Sequence, residues 1–256
     1  MSRWNLEGRT ALVTGASRGI GRAIAEELLG LGARVIAVAR GEDELRTQVD
    51  AWRARGLEAE ALVADVADAE GRAALARHAA ELDILVNNAG GNLRRPALDY
   101  EEAEIRRLLE TNLLAAFELS RVLQPSLRAA ARHRGPSRIV NVASVSGLVS
   151  TRTGTPYAMA KAAMIQMTRN LAVEWAADGI LVNAVAPWYV RTPLVEPLLE
   201  DAAYLARILD RTPLGRIGEP EEVASAVAYF CLPASAWTTG QCLAVDGGFT
   251  AHGFAP

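Results

Sequence analysis

Tyr157 and Lys161 stand four residues apart, one helical turn, and so face the same way. A phenol ionises near pH 10, too high to exchange protons readily at neutrality, and a neighbouring ammonium favours the phenolate. Such a pair can give a proton to a ketone oxygen or take one from an alcohol. The lysine is unusual by type: it is the only one in the chain, against 26 arginines. An ammonium is a compact point charge with three donors, whereas a guanidinium is a broad planar fork. A site that must place a charge under a phenol and also bond hydroxyls would choose lysine. A Tyr/Lys pair at this spacing also arises by chance, so its meaning depends on its surroundings. Ser144, thirteen residues before Tyr157, adds a hydroxyl able to bond and orient a substrate oxygen. Ser146 is a nearby alternative, expected to line the pocket.

A second set of residues suits a dinucleotide. Thr14-Gly15-Ala16-Ser17-Arg18-Gly19-Ile20-Gly21 follows a short apolar run and opens a helical pattern. Glycines here permit a tight turn and let a pyrophosphate approach the backbone, and the helix behind offers free N–H groups. The spacing is Gly-x-x-x-Gly-x-Gly, not the commoner Gly-x-Gly-x-x-Gly. The second strand ends in Val38-Ala39-Arg40, without the acidic residue that would hold a ribose 2′-OH. Arg40 and Arg18 suit a 2′-phosphate, so NADP(H) is expected in preference to NAD(H). A plain surface role for Arg40 is the alternative. Asp65 and Val66, after the third strand, are placed to contact the adenine.

Positioning these groups requires an alternation of strands and helices. Thr10–Val13, Arg34–Ala39, Ala59–Val63, Ile84–Val86, Arg138–Val142, Leu181–Val185 and Cys242–Val245 read as strands. Several are apolar without alternation, as in strands buried on both faces. Helical patterns fall between them, including Ile20–Leu31, Glu42–Ala54 and Asp68–Glu81. This βαβα order predicts an α/β, doubly wound, Rossmann-type fold, with a parallel sheet between two helical layers. No linker, repeat or low-complexity segment interrupts it, so residues 1–256 are expected to form one domain. From Pro187 to Gly218 four prolines and several leucines break the rhythm. That stretch reads as a helical excursion, either a substrate lid at 188–217 or a packed helix pair.

Composition narrows the function. The chain has 256 residues, half of them hydrophobic, and a formal net charge of −3. Its arginines are spread along the chain, which argues against nucleic-acid binding. Cys231 and Cys242 have no metal-ligand spacing and are expected as buried thiols. His78, His133 and His252 lie in no motif. The first nine residues lack the apolar stretch of a signal peptide, and no membrane span is expected. A cytoplasmic protein, with no metal, is anticipated.

The motifs occur in one order: the glycine turn, Asn87-Asn88-Ala89-Gly90, Asn112, Ser144, and Tyr157-x-x-x-Lys161. Together with Val182–Pro187 and Asp246-Gly247-Gly248 they resemble the short-chain dehydrogenase/reductase family over essentially the whole chain. The run Ala186-Pro187-Trp188-Tyr189-Val190-Arg191-Thr192-Pro193-Leu194 looks most like its tropinone-reductase-like branch.

That resemblance implies seven parallel strands with the first central, and it implies roles. Asn88, Ala89 and Gly90 would close over the cofactor and steady the central strands. Thr192 would hold the nicotinamide carboxamide, with Pro187 and Val190 in the same cofactor-binding segment. Asn112 would position a water beside Lys161, and Lys161 would also bond the nicotinamide ribose. A homotetramer, or else a homodimer, is implied, built on the helices of Asn112 and Tyr157. Trp188 departs from the family, which usually has glycine there; its indole should reshape the pocket or stack on a cyclic substrate. The implied activity is a carbonyl reductase or alcohol dehydrogenase. An acyl-carrier-protein reductase, a polyol or sugar-acid dehydrogenase, and a non-catalytic dinucleotide-binding regulator are the alternatives.

Overall fold

The computed structural model describes residues 3–253; the outermost residues of the expected domain, 1–2 and 254–256, lie outside them. Seven parallel strands form one sheet in the order β3-β2-β1-β4-β5-β6-β7. The chain runs β1 (Thr10–Thr14), α1 (Gly19–Gly30), β2 (Arg34–Ala39), α2 (Glu42–Ala54), β3 (Ala59–Val63), α3 (Ala69–His78) and β4 (Ile84–Asn87). It continues through α4 (Glu102–Leu109), α5 (Ala115–Arg134), β5 (Ser137–Val142), α6 (Thr155–Glu174) and β6 (Ile180–Pro187). After β6 come α7 (Glu196–Leu199), α8 (Ala202–Asp210), α9 (Pro220–Cys231) and β7 (Cys242–Val245).

Successive strand residues point to opposite sides, and both sides are apolar. Ala11 and Val13 pack with Ile24 and Leu28 of α1, Trp52 of α2 and Val227 of α9. Leu12 between them packs with Leu75 of α3, Leu123 of α5 and Leu171 of α6. A strand clothed on both faces needs no polar alternation, which is why the apolar runs marked the strands. The middle strand is β4, not β1 as expected. β1 instead lies beside β4 where the winding reverses, and a crevice opens there at the strands' carboxyl ends.

Two local features shape that crevice. α4 and α5 are joined by a π turn, Glu110–Leu114, which carries Asn112. Such single π turns mark functional positions in helices because they rotate side chains out of helical register. Past β6, the expected excursion is two short helices, α7 and α8, returned to the sheet edge by a bridge between Val190 and Gly218. α3 stops at His78, short of the expected Glu81. Cys231 is buried as expected, but Cys242 on β7 is only half-buried.

Candidate active site

A cavity of about 570 Å³ runs along the carboxyl ends of the strands. At one end lies the glycine turn. Gly21 meets Gly15 so closely that a Cβ on Gly21 would stand 2.2 Å from the Gly15 carbonyl oxygen. Asn88 locks this turn from behind: its Nδ2 donates to the carbonyls of Thr14 at 2.9 Å and Gly15 at 3.3 Å. Thr14 Oγ1 accepts from the backbone N–H groups of both Asn88 and Ala89 at 3.0 Å. These bonds tie the end of β4 to the end of β1. α1 begins with no side chain capping it and no acidic residue in its first turn. Its N–H groups and positive dipole end are therefore available to a phosphate.

Gly15, Ser17, Arg18, Gly19, Ile20 and Gly21 all line this end, with Arg40, Asp65 and Val66 beside them. Arg40 Nη1 lies 3.6 Å from Asp65 Oδ2, both exposed. Glu44, which sequence reasoning missed, also lines the cavity, and its Oε2 accepts from Ser17 Oγ at 2.8 Å. An acidic residue in the first turn of α2 carries no local signal, because acidic residues favour any helix start.

At the other end stand Ser144, Tyr157 and Lys161. β5 ends at Val142, and Ser144 opens the short turn Val145–Gly147, where its Oγ accepts from Ser146 N at 3.1 Å. That bond leaves the Ser144 proton free to donate. α6 places Tyr157 and Lys161 on its inner face. Lys161 Nζ donates to the Val142 carbonyl at 2.8 Å and lies 5.7 Å from the Tyr157 ring centroid. Burial pushes the Lys161 ammonium down to about 8. Burial also raises Tyr157, against a hydrogen bond from Ser144 and the charge of Arg94, which both lower it. Desolvation is the largest of these influences on the phenol.

Asn112 is fully buried, and its amide grips the neighbouring loop rather than Lys161. Oδ1 accepts from Gly91 N, while Nδ2 donates to the Gly91 and Leu108 carbonyls. Gly90 fills the gap between them: a Cβ there would stand 2.7 Å from Asn112 Oδ1 and 3.7 Å from Lys161 Nζ. Ala89 and Gly90 line the cavity, as do Pro187 at the end of β6 and Val190 and Thr192 beyond it. Leu194 and Val195, from the stretch expected as a lid, line it too.

Two expectations need correction. Ser146 does not line the cavity; its Oγ accepts from Thr151 Oγ1 at 2.7 Å. Trp188 does line it, but the ring is not free to swing. It stacks on Phe249 at 3.8 Å and 7°, and its Nε1 donates to Thr212 Oγ1 at 3.1 Å. Asp246 holds Phe249 there by accepting from Gly248 N and Thr250 N. One face of the indole is therefore closed to any substrate.

The ends of this cavity fit a dinucleotide: an uncapped helix start, a glycine turn with no room for side chains, two arginines, and an ammonium beside a phenol. Among the described residues no group of histidine, cysteine or acidic side chains could hold a metal ion.

Comparison with known proteins agrees with this geometry. A family model described as enoyl-(acyl carrier protein) reductase matches residues 15–250. A tropinone reductase homolog of Arabidopsis thaliana is 47% identical over 258 residues, covering 99% of this chain and 96% of its own length. A second one, chloroplastic, is 46% identical over 99% of this chain and 79% of its own length. Among solved structures, a gluconate 5-dehydrogenase from Burkholderia cenocepacia in complex with NADP and tartrate superposes with a TM-score of 0.92. It is 34% identical, over 98% of each chain.

Proposed function

Because the chain belongs to the short-chain dehydrogenase/reductase family, we propose that it is an NADP(H)-dependent oxidoreductase interconverting a ketone and a secondary alcohol, with Tyr157 as general acid/base. One observation carries this reading. Tyr157 stands half-buried beside the Ser144 hydroxyl, one helical turn from Lys161, at one end of a cavity whose other end is the glycine turn.

A bound nicotinamide dinucleotide would supply or accept the hydride. Its pyrophosphate suits the N–H groups at the start of α1, its 2′-phosphate suits Arg18 and Arg40, and its carboxamide suits Thr192. Ser144 donates to the substrate oxygen and holds it beside the phenol. In reduction, Tyr157 Oη gives that oxygen its proton; in oxidation, it takes the proton back. The Lys161 ammonium stabilises the phenolate that proton donation leaves and bonds the ribose hydroxyls. Asn112, by holding the Gly90–Gly91 loop, leaves space for a water beside Lys161 that returns the proton from solvent. The segment 188–217 closes over the substrate through Leu194 and Val195.

Tyr157→Phe is expected to lower turnover by at least about a hundredfold while NADPH still binds, since a positioned acid contributes about 10²–10⁴ in rate. A fully active variant would overturn the mechanism. Catalytic efficiency with NADPH and NADH side by side checks the cofactor.

A sugar-acid dehydrogenase is the second reading, supported by the gluconate 5-dehydrogenase likeness. An acyl-carrier-protein reductase is less favoured, because α6 runs out into Ala176-Ala177-Asp178 without a basic residue to meet an acidic carrier. A regulator with no catalysis would not need both Tyr157 and Lys161. We place the protein in the cytoplasm; among the described residues no helix is long and apolar enough to cross a membrane. A homotetramer is supported by exposed Leu114 and Val122, near and on α5, and by Met159 and Val173 on α6.

A further inference from the structure

Arg94 lies in the loop between β4 and α4, half-buried. Its Nη1 donates to the Tyr204 hydroxyl at 2.8 Å and the Tyr189 hydroxyl at 3.1 Å, and the two hydroxyls bond each other. The guanidinium carbon stands 5.5 Å from the Tyr189 ring centroid. Three separate segments converge here: the β4 loop, the turn after β6, and α8.

The arrangement orients a cation without neutralising it. Among the described residues no carboxylate pairs with Arg94, whereas its neighbour Arg95 pairs with Glu104 at 2.9 Å. Burial pushes the Tyr189 phenol up to about 12, so it supplies no negative charge at neutral pH. A half-buried guanidinium held by neutral acceptors retains an unmet demand for an anion. Both bonds leave from Nη1, so Nη2 and Nε remain for the bidentate grip that a guanidinium gives a carboxylate.

Location decides what that anion is. Arg94 does not itself line the cavity, but it follows Gly91 by three residues and its partner Tyr189 packs edge-on against Trp188 at 4.5 Å, and Gly91 and Trp188 both line the cavity with Tyr157, so the fork stands just outside the reacting end. Among the described residues the only carboxylates lining the cavity are Glu44 and Asp65, both at the far end, against Ser17 and Arg40. Among them, the substrate end thus has a cation nearby and no acid to repel a negative charge.

We propose that Arg94, aimed by Tyr189 and Tyr204, binds a carboxylate of the substrate, so that the enzyme acts on oxo acids and hydroxy acids in preference to neutral ketones and alcohols. The proposal deepens the oxidoreductase reading and rests on it for turnover, though not for binding. Tyr189 and Tyr204 are positioning residues: they touch Arg94, not the substrate.

The experiment compares matched pairs that differ only in charge, 4-oxocyclohexanecarboxylate and levulinate, each against its methyl ester, with NADPH oxidation as readout. Isothermal titration of each pair into the NADP-loaded protein gives a second readout. The wild type is expected to favour the acids by at least about tenfold in kcat/KM, the scale of a charge-assisted bidentate pair. Arg94→Gln should remove that preference, lowering kcat/KM for the acids by about tenfold to a hundredfold more than for the esters, since any effect through Tyr157 falls on both. Tyr204→Phe, which keeps the charge but frees its aim, should lose part of the preference and keeps the test valid if Arg94→Gln folds poorly. Equal losses for acid and ester in both variants would make the cluster a structural clip and overturn the proposal. So would a wild type indifferent to charge. If the wild type turned over neither acid nor ester, the oxidoreductase reading would be in question; titration would then decide Arg94 separately, with equal acid binding by wild type and Arg94→Gln counting against it.

Discussion

Asn112 holds Gly91 by both of its backbone polar groups, accepting from its N–H at 3.2 Å and donating to its carbonyl at 2.9 Å. A side-chain amide is one of the few groups that can satisfy a peptide in this two-sided way. The π turn aims it, since in a regular helix the side chain would sit elsewhere on the surface. The consequence reaches the site: with Gly91 fixed, Gly90 sits against both Asn112 and Lys161.

Replacing Asn112 by Ala leaves the Gly91 N–H and carbonyl without their partner. A buried polar group left unpaired costs about 1–3 kcal/mol. For a chain this long, each ~1 kcal/mol lowers Tm by about 2–4 °C. We expect Asn112→Ala to melt measurably lower and to bind NADPH more weakly, as read by calorimetry and by fluorescence titration. An unchanged Tm together with unchanged binding would show that the loop holds itself.

The adenosine end gives a second expectation. Arg40 is paired with Asp65, but both are exposed, and such pairs contribute about 0–1 kcal/mol. A 2′-phosphate can therefore draw Arg40 away at little cost. Arg40→Ala should raise the Kd of NADPH by about tenfold or more, the scale of lost charge-assisted hydrogen bonds, and leave NADH within a factor of about two. Glu44→Gln should act in the opposite direction on NADPH, because it removes a negative charge bonded to Ser17 in the same wall. If NADH and NADPH shift together in either variant, those side chains do not read the phosphate.

These two regions differ in how much of them could be read in advance. Gly15, Ser17, Arg18, Gly19, Ile20 and Gly21 of the glycine turn all line the cavity, because a tight turn, a helix start and a buried strand are local demands written in adjacent residues. The pairing of Tyr157 with Lys161 was legible for the same reason, being one turn of one helix. The clamp on Arg94 was not: its partners lie 95 and 110 residues away and meet only through the fold. Trp188 shows the intermediate case. Its presence by the cavity was legible from its place after β6, but Phe249, 61 positions later, sets its orientation, and no spacing announces that contact.

Phe249→Ala should therefore act on the substrate end. Stacked aromatic pairs contribute about 0.5–1.5 kcal/mol beyond burial. Without its partner, Trp188 keeps the Thr212 bond but gains a free face and room to tilt. KM for a carbonyl substrate should change by severalfold while the NADPH Kd holds. A change in the NADPH Kd with no change in the substrate KM would place Phe249 on the cofactor side instead.

Lys161 offers the clearest pH signature. Its folded value, about 8, lies below the ordinary lysine value of 10.5 because burial disfavours the ammonium. Below pH 8 both folded and unfolded chains hold the proton, and the folded state bears the full cost of the buried charge. Between about 8 and 10.5 the unfolded chain binds more protons than the folded one, so this contribution to stability rises with pH. Tyr157 and Cys231, both raised by burial, act the other way at alkaline pH, which is why the comparison must be made against a variant lacking only the ammonium. Lys161→Met keeps the unbranched stem. In urea titrations at pH 7 and pH 9.5, wild type should gain on Lys161→Met as pH rises, and a constant gap would mean that the ammonium is not desolvated. Lys161→Arg then separates charge from shape. A guanidinium fork should not make both the Val142 bond and the approach to the phenol, so turnover should fall although the charge remains. Wild-type turnover in Lys161→Arg would mean that any cation serves, and that the single lysine in this chain is an accident of composition.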